Sequence, residues 1–425
     1  MPERINLDYA STTPLLPEVK GAMVQALDQA GNASSIHQAG QRASQLLEQA
    51  RGRVATLLHA KPGEMLFTSC GTESNNWALR GLLAANKRKG SHLIISAVEH
   101  PSILLAARRL EVDGAASVSI LPVDREGFVS PSELKAAIGP ETVLVSVMLA
   151  NGEVGTIEPI KELAAIAHEH GALFHTDAVA AAGHVAIDVR SLGVDALSMS
   201  ANQFYGPQGA AALFVREGVR ILPLLEGGGQ ERGGRSGTEA LPAIVGMGAA
   251  AELAVSRLVQ GTGPAAAPPH LSSPRRTIGV VGSGQVGAPA PRHPSPSMTG
   301  YLSQLRDRLR DGLTARIEHV RLNGSWTARL PHNLHVCVDG LSSESLVLGL
   351  DQAGIAAGLG SACNAKAMRP SHVLKAMGLS DEEAKGALVL SVGVPTTDEE
   401  IDRALEVIPS VVQRLRNVTA LTSRA

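Results

Sequence analysis

The stretch VLVSVMLANGEVGTIEPIKELAAIAHEHGALFHTD, residues 143–177, decides the fold. It opens on a near-continuous apolar run, Val143–Met148, and closes on another, Leu173–His175, with helical periodicity over Ile160–His170 between them. Apolar strand, helix and second apolar strand describe neighbours in a parallel sheet covered by helices on its faces. The same alternation extends both ways. Leu93–Ser96, Val118–Leu121, Ala196–Met199 and Ala211–Val215 read as further strands and Ser130–Ala137 as a further helix. The spacing therefore predicts an α/β fold with a mostly parallel sheet. Ligands in such sheets bind at the carboxyl ends of the strands, so the residues that follow each strand are where chemistry is expected.

The chain has 425 residues, enough for one large domain and a smaller one with a sizeable core. Hydrophobic residues make up 44% and charged residues 18%, as in an ordinary globular protein. A net charge of −2 argues against a nucleic-acid binder held by its electrostatics. No apolar run reads as long enough to span a bilayer, and the N-terminus MPERINLDYASTTP lacks an apolar signal core, so a cytoplasmic protein without a membrane partner is expected. The three cysteines, Cys70, Cys337 and Cys363, suggest neither a disulfide framework nor a zinc site. Each is by default a small buried hydrophobe, and at least one is a candidate reactive thiol.

Residues 261–298 are rich in Pro, Gly, Ala and Ser and are expected to be a disordered insertion. They split what reads as one helix, Leu241 to Val259, resuming at Tyr301–Ala315. Within them Gly282-Ser-Gly284-Gln-Val-Gly287 matches a dinucleotide fingerprint, but Ala288-Pro-Ala-Pro291 follows where a helix is required, so the match is rejected. The expected organisation is an N-terminal arm (1–14), a large domain (15–258), the insertion, and a small α+β domain (299–425) carrying the Cys363 loop.

Three segments follow predicted strands. Phe67-Thr-Ser-Cys-Gly-Thr-Glu-Ser-Asn-Asn76 reads as strand end, small-residue turn and helix start, either an anion cradle of backbone N–H groups around Gly71 and Thr72 or a plain capped turn. Val98-Glu-His100 closes the next strand, where an imidazole can stack on an aromatic cofactor or serve only structure. Phe174-His-Thr-Asp177 places an aspartate that can pair with a protonated pyridine nitrogen or cap a helix.

Their order is that of fold-type I pyridoxal-phosphate enzymes, and the chain resembles the cysteine desulfurases of class V aminotransferases, in the Isc and Nif branch. Leu7-Asp-Tyr-Ala-Ser-Thr-Thr-Pro14, Gly31-Asn-Ala-Ser-Ser-Ile-His37, Thr72-Glu-Ser-Asn-Asn76, Gly227-Gly-Gly-Gln-Glu-Arg232, Arg235-Ser-Gly-Thr238, Asn333 and Gly360-Ser-Ala-Cys363 carry the likeness, which covers nearly all of the chain outside the insertion. The resemblance implies a large domain with a seven-stranded sheet and a small C-terminal domain. It implies pyridoxal 5'-phosphate stacked on His100, its ring nitrogen on Asp177, and its phosphate on Gly71, Thr72 and Ser200. Thr238 would reach the phosphate of a neighbouring subunit, which makes a homodimer. Cys363 would accept sulfur from L-cysteine as a persulfide, for iron–sulfur cluster or thiocofactor assembly; Lys366 and Arg369, close by in sequence, either help ionise it or are only solvated charges.

The chain also departs from the family. Where the family has Ser-Gly-His-Lys-Phe-Tyr-Gly-Pro, this sequence reads Ser200-Ala-Asn-Gln-Phe-Tyr-Gly-Pro207, so Asn202 replaces histidine and Gln203 the cofactor lysine. A glutamine amide cannot form a Schiff base or carry a proton from the substrate. Ala180 stands for a glutamine, Gly152 for an asparagine, Val389 for the arginine that clamps the substrate carboxylate, and Cys70 for a glycine whose loss would crowd the phosphate turn. A degenerate desulfurase-like protein, weakly active or inactive, is therefore expected, free to bind a scaffold, a sulfur acceptor or an active paralogue. The alternatives are an active desulfurase or selenocysteine lyase with relocated chemistry, for which Lys366 is the candidate amine, and a persulfide carrier using Cys363 alone.

Overall fold

The computed structural model describes residues 4–29, 31–259, 297–360 and 370–422. The Gly282–Gly287 motif, Cys363, Lys366 and Arg369 lie outside the described residues, as does nearly all of the 261–298 segment.

Twelve strands are described: β1 (Ile5–Leu7), β2 (Met65–Thr68), β3 (His92–Ser96), β4 (Ser117–Leu121), β5 (Thr142–Ser146), β6 (Leu173–Asp177), β7 (Ala196–Ser200), β8 (Ala211–Val215), β9 (Val320–Asn323), β10 (Asn333–Val338), β11 (Ile355–Ala357) and β12 (Ala387–Ser391). Seven form the central sheet in the order β2-β8-β7-β6-β5-β3-β4. Only β8 runs against its neighbours. The six apolar runs of the sequence correspond to β3 to β8. In β5, β7 and β8 every residue is buried, because helices cover both faces and no position alternates out to water. Alternate residues feed two cores: Ile94, Val145 and Phe174 pack on one face, while Leu93, Ile95, Leu144 and Leu173 pack on the other.

Helix Leu241–Val259 lies along helices Gln38–Leu57 and Pro17–Leu27. Its window Leu241–Leu258, with a mean hydropathy of 1.3, is long and apolar enough to cross a membrane, which corrects the expectation that no such run exists. Ile244, Met247, Ala250, Ala251 and Ala254 are buried in the sheet's larger core, which is what such a composition serves in a core helix. The next described helix begins at Met298, capped by Ser297, whose hydroxyl accepts from the Gly300 N–H at 2.9 Å; residues 297 and 298 are thus ordered helix start.

The C-terminal part is built on the antiparallel sheet β12-β10-β9 and the helices Met298–Arg316 and Asp398–Thr422. The N-terminal arm belongs to it as well. β1 pairs in parallel with β11, and Ile5 and Leu7 are buried in the C-terminal core. From there the arm crosses to the loop after β7, where the Thr13 N–H donates to the Asn202 carbonyl at 2.8 Å and Thr13 Oγ1 accepts from the Tyr205 N–H at 2.6 Å.

Candidate active site

A cavity of about 420 Å³ opens at the carboxyl ends of β2, β3, β5, β6 and β7 and is closed by residues from the arm and from the C-terminal part. It brings together Gly71, Thr72, His100, Asp177, Ser200 and Gln203, and with them the substituted positions Cys70, Gly152, Ala180, Asn202 and Val389. Thr238 is exposed and lies away from this lining.

His100 does not close a strand. β3 ends at Ser96, and His100 caps the helix Pro101–Val112, its Nδ1 accepting from the Ser102 N–H at 3.1 Å. Pro101 at the first helical position was the readable signal for this. With Nδ1 held as an acceptor, the remaining ring nitrogen is the one that carries hydrogen in the neutral ring. Ser102 extends the anchor. Its Oγ lies 2.7 Å from His100 Nδ1 and accepts from Asn75 Nδ2 at 2.9 Å, and the same Asn75 amide donates to Asp177 Oδ2 at 2.6 Å. Asp177 Oδ1 accepts from the Val179 N–H at 2.9 Å within a turn, so the aspartate ties a turn rather than capping a helix.

The carboxyl groups of the cavity are held away from water. Burial pushes the Asp177 carboxyl up, against the pull of His100 and of its two hydrogen bonds. Glu99 is fully buried and is pushed up to about 8 by that burial, although its Oε1 accepts from Ser96 Oγ at 2.7 Å and from the Met148 N–H at 2.8 Å. Its Oε2 has no partner, and neither has Asn75 Oδ1. Asp8 and Glu153 also line the cavity, whereas no lysine or arginine does among the described residues.

Helix Gly71–Ala85 points its first turn at the cavity, and Cys70, at its N-cap, makes no side-chain capping bond. The first-turn N–H groups of a helix have no partner within it, so without a side-chain cap those of this helix are left to meet an anion. Gly71 must be a glycine for packing: a Cβ there would lie 2.6 Å from Val179 Cγ2. Cys70 needs no such freedom, since its φ of −162° is extended backbone that any residue adopts, and the substitution for glycine adds a thiol without backbone strain. Glu73 in the same turn accepts from Arg235 Nε at 2.8 Å and from the Ser69 N–H at 2.9 Å, which fixes the turn.

Gln203 sits in the short turn that follows β7. Its Nε2 donates to the Ser11 carbonyl of the arm at 3.1 Å, and its own carbonyl lies 2.8 Å from His184 Nε2. Ser200 Oγ donates to Asn202 Oδ1 at 2.7 Å. The two shortened side chains, Gly152 and Ala180, face each other: a Cβ on Gly152 would stand 3.4 Å from that of Ala180. Asn333 holds the Gly152 loop by donating to the carbonyls of Gly152 at 2.9 Å and Glu153 at 3.1 Å. Val389 lies in β12 and exchanges two backbone hydrogen bonds with Gly358, at 2.9 and 3.0 Å. Asn75, Glu99 and Ser11 stand in the motifs quoted above without a role, and Ser102 lies outside them. A glutamate next to the apolar run of β3 was the one signal available for Glu99.

The model of the aminotransferase class-V family matches residues 5–260. Over 421 residues the chain is 44% identical to a cysteine desulfurase IscS of Methanosarcina thermophila, covering 99% of this chain and 95% of that protein. A cysteine desulfurase IscS of Clostridium botulinum is 42% identical over 424 residues, covering 99% and 97%. Among solved structures, a NifS-like protein superposes with a TM-score of 0.83 at 31% identity, over 97% of this chain and all of that one.

Proposed function

Because the chain belongs to the class-V aminotransferases and, within them, to the cysteine desulfurases, on a fold-type I scaffold, we propose that it keeps their cofactor-shaped cavity but does not release sulfur from L-cysteine at a family-like rate. The observation that carries this reading is Gln203. It occupies the turn after β7, spends its amide on the Ser11 carbonyl, and no lysine among the described residues lines the cavity in its place.

Pyridoxal 5'-phosphate fits part of this site. A buried carboxyl, Asp177, held by the Asn75 amide and the Val179 N–H and faced by no lysine or arginine among the described residues, suits a cationic partner, and a protonated pyridine nitrogen is one. The uncapped start of helix Gly71–Ala85, with Thr72 and Ser200, would hold the phosphate, and the anchored His100 ring would stack on the pyridine. When bound, the cofactor supplies an electron sink for breaking bonds at the substrate's carbons. Nothing described here supplies the amine that would join its aldehyde. Nothing clamps a substrate carboxylate either, since Val389 offers no charge and no arginine lines the cavity among the described residues. The protein is read as a homodimer, with the exposed Thr238 segment meeting a neighbouring subunit, and its partners as sulfur acceptors, a cluster scaffold or an active paralogue.

The test is turnover. Purified protein supplied with L-cysteine and pyridoxal 5'-phosphate is expected to form neither alanine nor sulfide above background. Alanine formation at a family-like rate, abolished by Cys363→Ser, would overturn the reading and point to an amine outside the described residues, with Lys366 the first to replace.

A further inference from the structure

The cavity keeps three parts of a vitamin-B6 phosphate site and has changed the fourth. Asp177 is buried and held by Asn75 and the Val179 N–H, His100 is locked by Ser102, and helix Gly71–Ala85 presents an uncapped N-terminus. At the fourth, Gln203 uses its amide N–H toward Ser11, while its Oε1 accepts no hydrogen bond from the described residues. A free carbonyl oxygen is an acceptor, and it suits a donor on the ligand. The rest of the wall points the same way. Asp8, Glu153 and Asp177 line the cavity, and no lysine or arginine faces them among the described residues. Such a wall favours a ligand that brings positive charge and disfavours one that brings a carboxylate.

We propose that the cavity selects pyridoxamine 5'-phosphate, the form that carries its own amine, over the aldehyde form, with Gln203 accepting a hydrogen bond from that amine. The inference rests on the reading that Gln203 has ended covalent attachment. The phosphate is common to both forms, so it binds without discriminating. Discrimination falls to the substituent that faces residue 203. An ammonium gains a charge-assisted hydrogen bond to a carbonyl oxygen and a favourable field from the carboxyl groups, whereas an aldehyde has neither a charge nor a hydrogen to donate.

Equilibrium dialysis of the full-length protein against each compound measures the preference, and acid extraction with mass spectrometry identifies what co-purifies. Pyridoxamine 5'-phosphate is expected to bind at least about tenfold tighter than pyridoxal 5'-phosphate. Gln203→Leu, which keeps the bulk and removes the acceptor, should abolish that preference while leaving phosphate-dependent binding. Gln203→Lys should reverse it. Its amine condenses with the aldehyde, losing water, and borohydride then reduces the C=N bond to a secondary amine found as a pyridoxyl adduct on the peptide holding residue 203. Equal or tighter binding of the aldehyde form to the unaltered protein, no binding of the amine form, or an unchanged preference in a folded Gln203→Leu protein would each overturn the proposal. Alanine formation from L-cysteine would instead overturn the reading beneath it, and the two failures are separate measurements.

Discussion

Glu99 is a carboxyl shut away from water. Fully buried and holding one unpartnered oxygen, its carboxyl stays protonated up to about 8 instead of the ordinary 4.5, and Glu158 is pushed to about 8 by the same cause. In this range the folded chain holds protons that the unfolded chain has released. The stability tied to these groups is therefore complete below about 4.5 and is lost as pH rises through about 8. His175 and His184 act in the opposite sense. Burial lowers them from 6.5 to about 3 and about 4, so their share is complete above 6.5 and is lost on acidification. Between pH 6.5 and 8 the glutamates alone of these four change charge. Glu99→Gln keeps an oxygen for Ser96 and Met148 and removes the titration. It should flatten the fall in unfolding free energy, read from urea titrations, over that window by up to about 1.4 kcal/mol per pH unit; a slope equal to that of the unaltered protein would mean that Glu99 ionises freely. Two glycines of the same wall separate space from shape. Gly152 has an ordinary φ and meets only Ala180 at 3.4 Å, so Gly152→Ala should stabilise by about 0.4–1 kcal/mol. Gly71→Ala drives a methyl against Val179 at 2.6 Å and should destabilise by about 1–3 kcal/mol in the same unfolding measurement.

At the scale of elements, what could be read in the chain depended on whether the stabilising partner lay nearby. β3 and β5 to β8 were legible because burial on both faces writes unbroken apolar runs into the sequence, whereas β4, at the sheet's edge and only partly buried, was legible from its β-branched residues Val118 and Ile120. β1, β9 and β11 have three or four residues each and owe their strand state to distant partners, as Ile5 does to Ile355. The cavity divides in the same way. Thr72, His100 and Asp177 were legible at strand ends taken in order, and Gln203 through the resemblance, at the family's lysine position, but the link from Asn75 to Ser102 and Asp177 spans 27 and 102 residues and left no trace in local pattern. Another such link locks the start of the sheet. Arg51, buried in helix Gln38–Leu57, makes two bonds to Glu231 at 2.6 and 2.8 Å, donates to the Met65 carbonyl of β2, and stacks over Phe67 at 4.7 Å. Glu231 in turn accepts from the Phe67 N–H at 2.8 Å. Removing one partner leaves the other charge buried without compensation, so Glu231→Ala should cost about 3–5 kcal/mol. Because β2 leads directly into Cys70 and Gly71, the same change should also weaken phosphate-dependent binding in dialysis. Stability lost with binding intact would show that the phosphate turn stands without this lock.

Across the whole molecule the arm is the tie between the two parts that enclose the cavity. Its β1 is a strand of the C-terminal part, where Leu7 is wholly buried, and the Leu7 carbonyl accepts from Ser391 Oγ of β12 at 3.3 Å. Six residues on, Thr13 grips the turn after β7 through Asn202 and Tyr205. Tyr205 holds a left-handed φ of 70°, uncommon for a bulky residue, and its phenol oxygen accepts from the Val394 N–H at 2.8 Å, a second crossing between the parts. A conformation of that kind persists only where its surroundings over-determine it. The position of Gln203 therefore depends on a core some two hundred residues away in sequence as much as on its own strand. Leu7→Ala removes a side chain from that distant core and should cost about 2–5 kcal/mol. Its second effect distinguishes a tie from two unrelated contacts. If the arm transmits the loss, the Tyr205 amide, whose acceptor is Thr13 Oγ1, should exchange with solvent faster than in the unaltered chain, together with the amides of β11. Faster exchange in β11 with an unchanged Tyr205 amide would show that Thr13 holds the turn by itself and that the two halves of the arm work independently.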